Sequence, residues 1–197
     1  MSYSLNSLQD DCYENTNVLK NKFNLKEQTK LDLVERNITS LLIAQALINI
    51  PFENVNFEFY KSLHSYVFSD IYEWAGTTRT INMSKKGTVF CDFGDIELTA
   101  KNIFKGLIKN NFLKEFSNNE FINEFTELYC NLNYLHPFRE GNGRIQRLFL
   151  TMLLKDMNKV LYFSNIDKDL LMIATIKSVS GDVFMLRDIF NTHIKDF

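Results

Sequence analysis

The sequence predicts a mainly α protein, a helical bundle carrying one β-hairpin. Three observations predict it. Seven glycines and two prolines in 197 residues leave few breaks, which favours long helices over many short strands. Apolar residues recur at helical spacing along most of the chain. One stretch alone, Thr77 to Phe93, changes to strand-forming residues around a turn. The length of 197 residues suits a single domain over 1–197, and 18 phenylalanines imply an aromatic-rich interior.

The first 25 residues have no clear period, and Tyr13 to Phe23 reads as a structured lead-in. From Lys26 to Asn49 the apolar positions Leu31, Val34, Ile38, Leu41, Leu42 and Leu47 form one helical face, and Pro51 stops it. Phe57 to Trp74 carries a second stripe through Phe59, Leu63, Val67, Ile71 and Trp74, which Ala75 and Gly76 should close, and His64 within it reads as a helix-surface or boundary residue. In Thr77 to Phe93 the residues Thr78, Thr80, Ile81, Val89 and Phe90 favour strands, with Ser84 to Gly87 as the turn. Such a hairpin is marginal alone and must lie against the helices.

Asp95 to Lys109 is helical in pattern. Ser117 to Leu135 opens with Ser117 three residues before Glu120, a capping box, and its apolar face runs from Phe121 to Leu132. Asn142 to Met157 is apolar at Ile145, Leu148, Phe149, Met152 and Leu153. Pro137 cannot continue the helix before it and disfavours helical geometry at His136, so 136–147 straddles a helix–loop–helix break. Asp167 to Ser178 and Gly181 to Ile194 read as two last helices.

Totals bound the function. A net charge of −2 gives no reason to expect nucleic acid or a membrane surface as the principal ligand. Cys12, Cys91 and Cys130 are widely spaced without a CxxC pair, which reads as reduced thiols rather than disulfides or zinc. Met1 to Asp11 is polar, and no apolar run approaches the roughly 18 residues of a membrane span. The expectation is a cytoplasmic protein where it is made; a specialised secretion address would leave no mark of this kind.

Chemistry concentrates in His136 to Arg147. If Gly141, Asn142 and Gly143 open a helix, the glycines allow a nest of inward N–H groups, and the helix N-terminus adds positive potential. Asn142 could add its side-chain amide, and the natural guest is a phosphate. Arg144 and Arg147 lie three apart, near one face, and guanidinium groups match phosphate oxygens. Glu140 could hold Mg²⁺ against those oxygens. His136, with an ordinary pKa of about 6.5, could deprotonate an attacking hydroxyl. Phe138 would anchor the loop. Each residue has a bland alternative: a structural histidine, an ordinary turn, solvated arginines. On chemistry alone a phosphate site and those readings stand level.

These twelve residues match at every specified position the Fic family signature His-x-Phe-x-(Asp/Glu)-Gly-Asn-Gly-Arg-x-x-Arg, and the resemblance covers Tyr13 to about Ser178. It implies the Fic fold and transfer of AMP from ATP to a hydroxyl of a target protein. His136 resembles the base and Glu140 the Mg²⁺ ligand. Gly141, Asn142, Gly143 and Arg144 resemble the cradle for the α- and β-phosphates, and Arg147 the residue that receives the γ-phosphate. Lys85, Lys86, Gly87, Thr88, Val89 and Phe90 would form the flap that pairs with an extended target segment; a plain solvated turn is the alternative for the two lysines. Doc-type relatives, which move the γ-phosphate, replace the Gly-Asn-Gly element. A silent binding module would have lost the histidine.

Fic adenylyltransferases are commonly inhibited by a helix bearing (Ser/Thr)-x-x-x-Glu-(Gly/Asn). Here Ser69 to Glu73 has the spacing but Trp74 follows, Ser117 has its glutamate one residue early, and Gly181 to Ile194 has none. The resemblance therefore favours a toxin held by a small antitoxin that carries the helix, over a host-directed secreted effector, which usually has extra delivery domains. It implies bacterial targets, topoisomerase subunits among them.

Overall fold

The computed structural model describes residues 4–5, 11–85 and 87–196. Its helices are α1 (Gln28–Asn49), α2 (Phe57–Phe68), α3 (Ile96–Lys109), α4 (Asn118–Leu135), α5 (Asn142–Asp156), α6 (Lys168–Ser178) and α7 (Phe184–His193). The mainly helical bundle expected from the sequence is what forms. α5 lies at the centre, packed on α1, α2 and α4. It buries Ile145, Leu148, Phe149, Leu150, Met152, Leu153 and Leu154, which span most of its circumference.

Phenylalanines build the interior around it. Phe149 meets Tyr60 of α2 and Phe104 of α3 edge-on, with ring centroids 5.4 and 5.6 Å apart. Full burial of one such ring contributes roughly 1.5–3 kcal/mol. At the start of α4 the Glu120 carboxylate accepts from the N–H and Oγ of Ser117, at 3.1 and 2.6 Å, as the capping-box spacing predicts. Asp167 caps α6 by accepting from the Leu170 N–H at 2.8 Å.

Three expectations need correction. α2 ends at Phe68, six residues before Trp74. Ile71 and Tyr72 both donate their N–H groups to the Phe68 carbonyl at 2.9 Å, which turns the chain and drives both side chains into the core. The apolar spacing at Ile71 and Trp74 is thus met by a turn, with Trp74 stacked on Tyr72 at 4.4 Å. Gly76 closes that turn rather than the helix. Its φ is +84°, and a Cβ there would stand 2.8 Å from Ser65 Cβ.

The hairpin is shorter than expected and not alone. It consists of β2 (Met83–Lys85) and β3 (Thr88–Val89), with Thr78, Thr80, Ile81 and Phe90 outside the strands. A further strand, β1 (Ser4–Leu5), pairs antiparallel with β2, Ser4 opposite Ser84, so β2 is the middle strand. A second small sheet joins β4 (Lys159–Val160) to β5 (Lys195–Asp196). No alternating pattern foretold that pairing, because each partner is two residues long and they meet across two intervening helices. The third correction concerns His64, which is a centre of the core and not a surface or boundary residue.

Candidate active site

The break between α4 and α5 is built as a rigid loop. Pro137 ends α4, and His136 closes it in the left-handed region at φ 39°, ψ 58°. Phe138 turns fully inward, stacked on His64 at 3.9 Å and on Tyr60 at 5.8 Å. Asn142 then ties the loop to the helix: it accepts from the Phe138 N–H at 2.8 Å and donates to the Phe138 carbonyl at 2.6 Å. Its side chain is buried and braces the loop through these two bonds. Gly141 caps α5 at φ +81°, pressed against the Phe68 ring.

His64 supports this loop from below. The Gly76 N–H donates to its Nδ1 at 2.9 Å, so Nε2 carries the proton and donates to the Glu140 carbonyl at 3.0 Å. Burial pushes its pKa down to about 4, helped by the Arg144 charge and opposed by the bond to Glu140.

His136 is 7% exposed, its ring lying flat on Phe90 with centroids 3.6 Å apart. Burial drives its pKa to about 3; the charges of Lys85 and Arg79 push the same way, and the Asn133 carbonyl opposes. The ring is therefore neutral near pH 7. Its Nδ1 lies 3.3 Å from the Asn133 carbonyl, and donation there puts the lone pair on Nε2, the arrangement of a general base.

A cavity of about 500 Å³ opens beside it, lined at one end by His136, Asn133, Gly143, Gln146 and Arg147. Phe163, Ile166, Leu171, Met172 and Ile176 give it an apolar wall, and Lys85, Thr88 and Phe90 reach it from the hairpin. The start of α5, Arg147 and His136 thus converge on one space. Among the described residues no carboxylate pairs with Arg147. Val89 points to solvent, 69% exposed, and Gly87 forms the turn. Lys86 lies outside the described residues.

Arg144 does not join Arg147 there. Its guanidinium reaches back to α1, with Nη2 2.6 Å from Glu35 Oε1 and Nη1 3.3 Å from Thr39 Oγ1. Tyr72 Oη donates to the other Glu35 oxygen, and Arg144 lies over the Phe68 ring. Glu140 Oε1 accepts from the Gly141 N–H at 2.8 Å and lies 3.5 Å from Arg144. Glu35, Tyr72 and His64 escaped the sequence reading. Glu35 left a signal, since it sits on the stripe Leu31, Glu35, Thr39, Ala46 that α1 buries. A charge on an inward face needs a partner.

One carboxylate suits a hard cation that takes its other ligands from water and phosphate, and Glu140 supplies one. Among the described residues no cluster of three acidic, histidine or cysteine side chains offers an all-protein cage. No helix among them is long and apolar enough to cross a membrane.

Residues 54–154 match the model of the Fic/DOC family. The chain is 36% identical over 180 residues to "Probable protein adenylyltransferase y4lH" of Sinorhizobium fredii, covering 90% of this chain and 92% of that protein. It is 26% identical to "Probable protein adenylyltransferase Fic" of Escherichia coli, covering 93% and 91%. The crystal structure of the BepC effector protein of Bartonella tribocorum with bound AMPPNP superposes with a TM-score of 0.90 at 27% identity, covering 96% of this chain and 98% of that one.

Proposed function

The chain belongs to the Fic/DOC family, and from that premise we propose that it is a protein adenylyltransferase, which moves AMP from ATP to a hydroxyl side chain of another protein. One observation carries the reading: neutral His136, the start of α5 and Arg147 face a single cavity that Phe163, Ile166, Leu171, Met172 and Ile176 also line. The triphosphate would lie along the first turn of α5, where helix N–H groups lack intrahelical partners, with Arg147 on the γ-phosphate. The base would rest on the wall of Phe163, Ile166, Leu171, Met172 and Ile176. Glu140 would hold Mg²⁺, which neutralises phosphate charge when bound.

The chemistry is an in-line displacement. The target hydroxyl oxygen bonds to the α-phosphorus, its proton passes to His136 Nε2, and the bond from the α-phosphorus to the bridging oxygen breaks, releasing pyrophosphate. Catalysis by positioning and by charge suffices for such a transfer. The target segment would add to the edge of β3, because β1 already covers β2. We further propose that restraint comes from a separate antitoxin chain. Supporting this, Arg147 has no internal carboxylate partner among the described residues, and Glu73 lies beyond α2, paired 3.5 Å from Lys22.

The test is direct. Bacterial lysate with the protein, Mg²⁺ and α-labelled ATP should give a labelled protein band that His136→Ala abolishes. Label arriving instead from the γ-position identifies a phosphotransferase. ATP binding with no label from either position identifies a binding module, and each of these outcomes rejects AMP transfer.

A further inference from the structure

Arg79 is 4% exposed, and among the described residues no carboxylate lies within ion-pair distance of it. A buried guanidinium is expensive, the charge of Asp92 eases that cost only from beyond ion-pair distance, and an apolar side chain would fill the same space more cheaply. Its polar contacts explain its presence. Nε donates to the His136 carbonyl at 2.8 Å, Nη1 to the Ile81 carbonyl at 2.6 Å, and Nη2 to the Cys91 carbonyl. Its own N–H donates to the Pro137 carbonyl at 2.8 Å. The rigid fork of arginine holds the three carbonyls from three separate nitrogens in fixed directions, whereas lysine would offer its three donors from one atom.

Those carbonyls belong to three different segments. Ile81 precedes the hairpin and Cys91 follows it, while His136 ends α4. His136 has a left-handed backbone, which few residues other than glycine adopt and which needs support from its surroundings. Its ring stacks on Phe90, the residue before Cys91. One guanidinium therefore fixes the backbone on both sides of the His136–Phe90 stack, and the Cys91 N–H adds a bond to the Tyr134 carbonyl at 2.9 Å.

We propose that Arg79 is a positioning residue that sets the His136 imidazole against the hairpin, by gathering the carbonyls of Ile81, Cys91 and His136 on one side chain. The inference rests on His136 being the base for AMP transfer. Its consequence is that the hairpin and the base form one mechanical unit. A target strand lying along β3 then meets Nε2 at a fixed height, and disturbing Arg79 misplaces the base without touching the nucleotide.

The experiment uses Arg79→Lys, which keeps a buried cation but offers its donors from a single nitrogen in place of the three spread positions of the fork. The chain has only three histidines, so its imidazole signals are few and can be assigned with His136→Ala. The ring current of Phe90 shields the wild-type His136 ring protons. Arg79→Lys is expected to move the His136 signals towards unshielded values while those of His64, which reports the intact core, stay in place. Affinity for AMPPNP and KM for ATP should be unchanged, while kcat for labelling protein in bacterial lysate falls about tenfold to a hundredfold. Unmoved His136 signals with unchanged kcat overturn the proposal. So does movement of the His64 and His136 signals together with loss of AMPPNP binding, which is the behaviour of a merely structural residue. If Arg79→Lys does not fold, the wild-type Arg79 Nε–H decides: slow solvent exchange supports the bond to His136, and rapid exchange refutes it. A wild-type chain that transfers no AMP would reject the proposed function and leave the histidine spectrum to judge Arg79 alone.

Discussion

Replacing Gly141 by alanine adds a Cβ where the Phe68 ring already stands, with Cζ, Cε2 and Cε1 at 2.3, 2.5 and 3.1 Å. The ring has little room to retreat, since His64 stacks on it at 4.6 Å and the Arg144 guanidinium lies 4.8 Å from its centroid. The backbone adds a second penalty because φ is +81°. A left-handed alanine costs about 1–2 kcal/mol and a forced shift of a packed ring about 1–3, so Gly141→Ala should destabilise the chain by roughly 2–5 kcal/mol. Gly106 supplies the control. It lies within α3, and a Cβ there meets nothing within 4 Å. Gly106→Ala should stabilise by about 0.5–1 kcal/mol through helix propensity alone. Urea unfolding of both variants, compared at equal slope, checks the pair. A loss below about 1 kcal/mol for Gly141→Ala would refute the claim that the motif loop is seated on Phe68.

Glu35→Gln removes the nearer charge of a pair whose side chains are 12% and 23% exposed, leaving Arg144 with Glu140 at 3.5 Å and the Thr39 hydroxyl. A loss of about 1–3 kcal/mol is expected, below that of a fully unpaired buried charge because Glu140 remains. Tyr72→Phe should cost less on top of it than alone, which a double-mutant cycle in urea would read. Stability should also depend on acidity. His64 and His136 fall from the ordinary 6.5 to about 4 and about 3, so the unfolded chain binds more protons than the folded one below pH 6.5. Their neutral burial is fully tolerated above that pH and opposes folding increasingly as pH falls towards 4, by about 1.4 kcal/mol per unit for each ring. Unfolding curves between pH 7 and 4.5 on the nucleotide-free chain should flatten for His64→Gln, and an unchanged slope would contradict this.

Helix periods were readable wherever an apolar stripe faced a single core, as from Asp95 to Leu135. They misled after Phe68, where a turn delivers Ile71 and Tyr72 to the same interior that a continued helix would reach. Two-residue strands offer no alternation to detect, so β1, β4 and β5 left no trace. The motif itself was legible as a set of residues but not as directions. Arg144 and Arg147 are three apart and near one face by counting, yet Arg144 belongs to the ion network of α1 and only Arg147 lines the cavity. Counting residues offered Asn142 as a phosphate donor and gave no sign of the brace that both ends of its amide make with Phe138.

Two of the groups that were hidden, His64 and Arg79, share a property: they are polar, buried and bonded to backbone that is distant in sequence. His64 holds the Glu140 carbonyl across 76 residues, and Arg79 holds that of His136 across 57. A signature of twelve residues records what must touch the substrate. It cannot record its supports, because a carbonyl is available at every position and imposes no residue type on the segment that presents it. Only the donor side carries a sequence signal, and a single histidine or arginine between uncharged neighbours is that signal. Each such residue is costly to bury and must be satisfied somewhere. In this fold, the two that are satisfied by carbonyls of the motif are the ones that hold its loop in place.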